Sequence, residues 1–138
     1  MRSTIVDSGP LIALFDRDDK HHQRVKTFLS RNRLRLITTW PVLTETTALL
    51  PSAASMDFLE FVCRGGLEVR DLGAADLRVI LALSRKYADV PMDFTDSSLV
   101  ALALREGYKD IVSLDRDFDI YRLAGKRRFR NLLSTPRA

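Results

Sequence analysis

The chain has 138 residues, 46% of them apolar and 29% charged, with a net charge of +4. This suits one globular domain, residues 1–138, with a buried core. No apolar run approaches the roughly 20 residues that span a bilayer, and the N-terminus turns acidic at Asp7, too soon for a signal peptide. One cysteine, Cys63, excludes an internal disulfide and a cysteine-based zinc site, so a cytoplasmic protein with Cys63 in its core and no membrane partner is expected.

In chain order, Thr4-Ile5-Val6 reads as a buried strand ending at Asp7, and Ser8-Gly9-Pro10 turns the chain into a helical turn or two over 11–15. A polar loop follows over 16–20. From His21, Val25, Phe28 and Leu29 recur at helical spacing. Leu34, Leu36 and Ile37 suggest a second strand, and Pro41 opens a short helix that ends before Pro51. A helix over 55–64 offers Met56, Leu59, Phe61, Val62 and Cys63 to the core, and Gly65-Gly66 stops it. Leu67-Glu68-Val69 is a strand candidate. Residues 74–87 are helical through Leu77, Ile80, Leu81 and Leu83, and Pro91 marks a loop. The most apolar helix covers 95–106 and ends at Gly107. Ile111-Val112-Ser113-Leu114 is a buried strand, 115–118 a loop, and 129–133 a last edge strand. Strands alternating with helices predict a three-layer α/β/α sandwich around a mostly parallel sheet.

Four acids stand inside or at the edge of apolar segments: Asp7, Glu45, Asp96 and Asp115. Removing a carboxylate from water is costly unless it is paired or binds a cation. Gathered together, the four would raise one another's pKa values, and hard oxygen ligands suit Mg²⁺ or Mn²⁺. Asp7 and Asp115 fall at the carboxyl ends of strands, where open α/β sheets bind ligands. Each acid also has a plainer reading. Asp7 can cap the helix that follows, Glu45 can pair with an arginine, and Asp115 can stabilise its own turn. Of Asp93 and Asp96, one can cap while the other binds metal.

Charge is unevenly spread. Residues 116–138 carry a net +5 and the rest of the chain −1, so the tail is either a footprint for a phosphate backbone or a solvated surface. His21-His22 is a poor chelate, because adjacent side chains on a helix diverge, and both are expected to be exposed or to start the helix. Trp40 is expected in the core rather than as a base-stacking platform. The chain lacks G-x-S-x-G, P-loop, H-E-x-x-H and G-x-G-x-x-G signatures. Gly9 two residues after Asp7 rules out an Asp-x-Asp phosphatase start. A receiver-like phosphoacceptor is disfavoured too, since no lysine follows Asp115 before Lys126.

These residues resemble the PIN domain, the metal-dependent nuclease fold of the VapC-type toxins. The strand Ile5-Val6-Asp7-Ser8-Gly9-Pro10, the segment Asp18-Asp19-Lys20-His21-His22, the glutamate helix at Val42-Leu43-Thr44-Glu45, and the acidic motifs Met92-Asp93-Phe94-Thr95-Asp96 and Ser113-Leu114-Asp115-Arg116-Asp117 occur in the family's order. The resemblance implies that Asp7, Glu45, Asp96 and Asp115 hold Mg²⁺ or Mn²⁺, with Asp117 as an auxiliary ligand and Ser8, Asp93 and Ser113 orienting them. It implies an endoribonuclease acting on RNA phosphodiesters, the toxin of a type II toxin–antitoxin pair. The alternative is a PIN-like RNA-binding protein with a non-toxin processing role or no cleavage activity. Lys126, Arg127, Arg128 and Arg130 are expected to hold the RNA backbone. A homodimer and a small antitoxin partner are implied, and the apolar faces over 11–15 and 56–62 are either docking surfaces for them or core.

Overall fold

The computed structural model describes residues 1–90 and 92–134. Five parallel strands form one sheet in the order β3-β2-β1-β4-β5: β1 (Arg2–Val6), β2 (Leu34–Thr39), β3 (Glu68–Arg70), β4 (Asp110–Val112) and β5 (Arg130–Asn131). The helices are α1 (Ser8–Phe15), α2 (His22–Arg31), α3 (Trp40–Leu49), α4 (Ser52–Cys63), α5 (Ala74–Lys86) and α6 (Phe94–Glu106). Parallel pairing needs a crossover between strands; α-helices supply each one except that from β4 to β5, which runs through two short 3-10 turns, and the result is the expected three-layer α/β/α sandwich. Ile5 of β1 sits opposite Ile37 of β2 and Ile111 of β4, and Val6 opposite Val112. All five are fully buried.

The strand order creates one switch point. From β1 the chain steps outward to β2 and β3, then returns to place β4 on the other side of β1. The carboxyl ends of β1 and β4 therefore diverge from a shared crevice, the usual ligand position in such sheets. Helix α6 is buried along its whole middle, Asp96 through Ala103, and its first turn points into that crevice. Gly107 ends it in the left-handed conformation, φ 76°, which glycine adopts without strain.

Several sequence expectations change. Ser8-Gly9-Pro10 is the first turn of α1 rather than a separate turn. Its N–H groups have no intrahelical acceptor there, so proline costs nothing. In α4 the buried residue is Phe58, meeting Phe15 edge-on at 5.5 Å, with Phe61 against the same ring at 5.3 Å. Met56 (71% exposed), Leu59 and Cys63 face outward. The helix carries two apolar stripes a half-turn apart, and contact with Phe15 selects the one through Phe58, Phe61 and Val62. In α5, Ile80 and Leu83 are buried while Leu77 and Leu81 are exposed, for the same reason of phase. Trp40 is 53% exposed rather than core, its indole N–H donating to Asp71 at 2.9 Å. Among the described residues, no helix is long and apolar enough to cross a membrane.

Candidate metal centre

Three of the four acids meet in the crevice. One carboxylate oxygen from each of Asp7, Asp96 and Asp115 lies within 4.8 Å of the others. Asp7 directly follows β1 and is the N-cap of α1. Its Oδ1 accepts from the Ser8 backbone N–H at 2.8 Å and its Oδ2 from the Ser113 hydroxyl at 3.1 Å. The capping and cluster readings of Asp7 thus hold together. Asp96 sits in the first turn of α6, where its N–H donates to the Asp93 carboxylate at 2.8 Å. Asp93, exposed at the helix mouth, is the cap, and Asp96 is free to face the crevice. Asp115 follows β4 and caps a short 3-10 turn (Arg116–Asp119) by accepting from the Asp117 N–H at 2.9 Å.

Glu45 stands beside this group on α3. Its Oε1 accepts from the Ser8 hydroxyl at 2.9 Å, and its charge acts on Asp7. It forms no ion pair with an arginine among the described residues. Ser113 is the hub of the site: its Oγ donates to Asp7 and accepts from the Asp115 N–H at 2.9 Å. Asn131, which the sequence reading missed, holds Ser113 in turn, its side-chain oxygen accepting from the Ser113 N–H at 3.2 Å and its amide donating to the Ser113 carbonyl at 2.9 Å.

Electrostatics set this cluster apart. Burial lifts Asp7 from 3.8 to about 6, against its two hydrogen bonds, with Glu45 and Asp115 adding repulsion. Burial lifts Asp96 to about 8, reinforced by Asp7, Asp93 and Asp115. Asp117 is raised too, by burial and then by Asp115. Buried Tyr121, packed edge-on to Phe118 and Tyr87, is pushed up by burial and by the field of Asp96, Asp117, Asp115 and Asp93. None of these acids is in an ion pair among the described residues. Carboxylates left uncompensated in a low-dielectric pocket take up protons or a cation. The donor set is hard oxygen only. Three carboxylate oxygens from separate elements lie within 4.8 Å of one another, the kind of donor that Mg²⁺ and Mn²⁺ take. The residues fit a small divalent cation.

Of the tail residues expected to hold RNA, Arg127, Arg128 and Arg130 are not brought to this rim. Arg130 grips Asp110 through Nε (2.9 Å) and Nη2 (3.1 Å) at the amino end of β4. Arg127 and Arg128 line a cavity with Gly107 and Lys109 beyond the far end of α6, about 16 Å along the helix from Asp96 at 1.5 Å per residue. Lys126 belongs to the adjoining 3-10 turn (Ala124–Lys126). Of the two histidines, His21 precedes α2 and His22 starts it, its Nδ1 lying 2.7 Å from the Ala13 carbonyl. They join no metal-ligating group among the described residues.

A parallel five-stranded sheet whose β1/β4 crevice gathers aspartates from β1, α6 and β4 defines a class, and the family comparison names it. The PIN domain family model matches residues 4–124, and the chain belongs to that family. It is 28% identical over 130 residues to Ribonuclease VapC26 of Mycobacterium tuberculosis, covering 91% of this chain and 96% of that protein. Among solved structures, it is similar to Mycobacterium tuberculosis VapC20, described as a sarcin–ricin-loop-cleaving toxin, with a TM-score of 0.79 and 19% identity over 85% of this chain and 93% of that one. It is also similar to VapBC2 from Rickettsia felis bound to a promoter DNA fragment, with a TM-score of 0.63 and 12% identity over 94% and 98% of the two chains.

Proposed function

We propose that this protein is a divalent-metal-dependent endoribonuclease, the toxin of a type II toxin–antitoxin pair, folded as one domain and acting in the cytoplasm. The observation that carries the reading is the convergence of Asp7, Asp96 and Asp115 in one crevice, with none of them in an ion pair among the described residues. The relative named a ribonuclease supports RNA as the substrate.

Asp7, Asp96 and Asp115 hold Mg²⁺ or Mn²⁺, with Glu45 and Asp117 flanking them. When bound, the ion acidifies a water and neutralises charge on the scissile phosphate. The chain's own part is positioning. Ser113 fixes Asp7 and Asp115 relative to each other, Ser8 fixes Glu45, and Asp93 anchors the turn that presents Asp96. Ligand carboxylates must be ionised, so loading the site expels the protons that burial places on Asp7 and Asp96. A small antitoxin and a second copy of the chain are the partners this reading implies, and exposed Leu49, Met56 and Leu59 on α3 and α4 offer apolar surface for them. Light scattering, alone and after co-expression with a candidate antitoxin, reads out both assemblies.

The test is cleavage of RNA with and without Mn²⁺. Asp7→Asn and Asp96→Asn should each lose activity at least about a thousandfold, several kcal/mol of transition-state stabilisation, with unchanged circular dichroism. Full activity in either variant, or in excess chelator, would refute the assignment.

A further inference from the structure

A cavity of about 610 Å³ opens directly beside the acid triad and shares Ser113 and Asp115 with it. Its wall also carries Lys20, His21 and Arg24 from the start of α2 and its preceding loop, and Arg116 from the turn after β4. Lys20, His21 and Arg24 are neighbours in sequence, and only the fold brings Arg116 to them. What sets Arg24 and Arg116 apart from other arginines without an ion pair among the described residues, such as Arg31, Arg78 and Arg127, is their place beside the acids. Arg35, Arg70, Arg105 and Arg130 are each held by a carboxylate, whereas Lys20, Arg24 and Arg116 join no ion pair among the described residues. Arg24 spends one N–H on the Leu133 carbonyl at 2.9 Å, which fixes its side chain while leaving other donors of the guanidinium open. Against them stand Asp119 and Asp115, and Asp115 is a ligand of the proposed ion. A polar cavity presenting unpaired cations next to a phosphodiester-cleaving centre suits the phosphates flanking the bond to be cut, since guanidinium forks and ammonium groups both complement phosphate oxygens.

Resting on the ribonuclease reading, we propose that Lys20, Arg24 and Arg116 form the track that binds the RNA backbone on one side of the scissile phosphate. Arg127, Arg128 and Arg130, expected to do this, lie instead beyond the far end of α6 and at the amino end of β4. The contact is electrostatic and independent of base sequence, so it adds affinity and salt dependence rather than selectivity.

Binding of a fluorescein-labelled oligoribonucleotide, measured by anisotropy over a salt series in the uncleaving Asp96→Asn background, tests the track. Lys20→Glu and Arg116→Glu should each weaken binding roughly fivefold or more, and each should flatten the plot of log affinity against log salt by about 0.7. Lys20→Gln and Arg116→Gln repeat the measurement without charge reversal, should either reversed form be unstable. Unchanged affinity and slope in these variants overturns the proposal. So does a loss that falls instead on the Arg127→Glu/Arg128→Glu pair, or the absence of RNA binding by every form. A cleavage assay separates the two ideas. Wild-type protein that cuts RNA, with KM unmoved by Lys20→Glu, overturns the track and leaves the metal centre standing. Protein that binds RNA through Lys20 and Arg116 yet never cuts supports the track and overturns the nuclease reading.

Discussion

Two sets of carboxylates in this molecule live under opposite rules. At the β3 edge, Arg35 and Arg70 bracket Glu68 at 2.5 and 2.7 Å. Arg70 continues to Glu106 at 3.1 Å, and Arg105 joins Glu106 to Asp76. Hydrogen bonds from Arg35 and then Arg70 hold Glu68 down at about 2. In the crevice, Asp7, Asp96 and Asp115 bring carboxylate oxygens within 4.8 Å of one another, yet none of the three is in an ion pair among the described residues, and Asp7 and Asp96 rise to about 6 and 8. The edge network joins β2, β3, α5 and α6 and is electrically complete. The crevice is built to be incomplete. That difference separates a complete charge network from a cluster of carboxylates with no ion pair among the described residues, and counting acidic residues does not reveal it.

The largest expected effect comes from removing a crevice charge. Asp96→Asn should abolish the Mn²⁺-induced rise in melting temperature expected of wild type, as well as cleavage, while raising the stability of the metal-free protein at alkaline pH by removing a buried charge that Asp7 repels. A retained Mn²⁺ shift would show that Asp96 is no ligand.

Next comes pH. Asp7 has a folded pKa of about 6 against 3.8 unfolded, so its contribution to stability is fully present below pH 4 and lost as pH rises through 6. The loss is about 3 kcal/mol at 1.36 kcal/mol per unit. Asp96 has the same sign and extends the loss through pH 8. Glu68 runs the other way: its stabilisation is present above 4.5 and lost as pH falls through 2. Thermal denaturation in chelator should therefore show highest stability near pH 4 to 5 and decline toward pH 8, and Mn²⁺ should flatten the alkaline decline. A chelated protein equally stable at pH 5 and pH 8 would contradict the buried, unpaired state of the crevice acids.

Smaller effects sharpen the same contrast. Ser113→Ala removes the donor to Asp7 and the acceptor for the Asp115 N–H, with an expected cost of about 1–3 kcal/mol and weaker Mn²⁺ binding, measured by chemical denaturation and metal titration. Arg35→Ala acts on an exposed pair and should cost under about 1 kcal/mol, shrinking further in high salt. If Arg35→Ala destabilised as much as Ser113→Ala, the edge network would matter more than its exposure allows.

Much of this was readable before any coordinates. Strand–helix alternation carried the parallel three-layer fold, because a buried parallel strand needs a continuous apolar run and each crossover needs an amphipathic helix. The crevice acids were readable because each interrupts apolar sequence at a strand end or helix start. Ser113 is legible through the family resemblance, as the first residue of the Ser113-Leu114-Asp115 motif. The failures share a cause. In α4 both stripes are apolar, so composition could not choose Phe58 over Met56. Trp40 looks like core until Asp71 is seen to hold its indole at the surface. The tail's positive charge is plain in the chain, but β5 pairs Arg130 with Lys109 and Asp110, at the amino end of the sheet.

Local chemistry along the chain therefore decided which segments become strands and helices and where a carboxylate is too costly to stand alone, since both depend on near neighbours. The return of β4 to the far side of β1 decided the rest. It brought Asp7, Asp96 and Asp115 within reach of one ion, put Asn131 behind Ser113, and gathered Lys20, Arg24 and Arg116 around one cavity. Charges separated by a hundred residues act on each other through distance and burial, and only the packed sheet sets those two quantities.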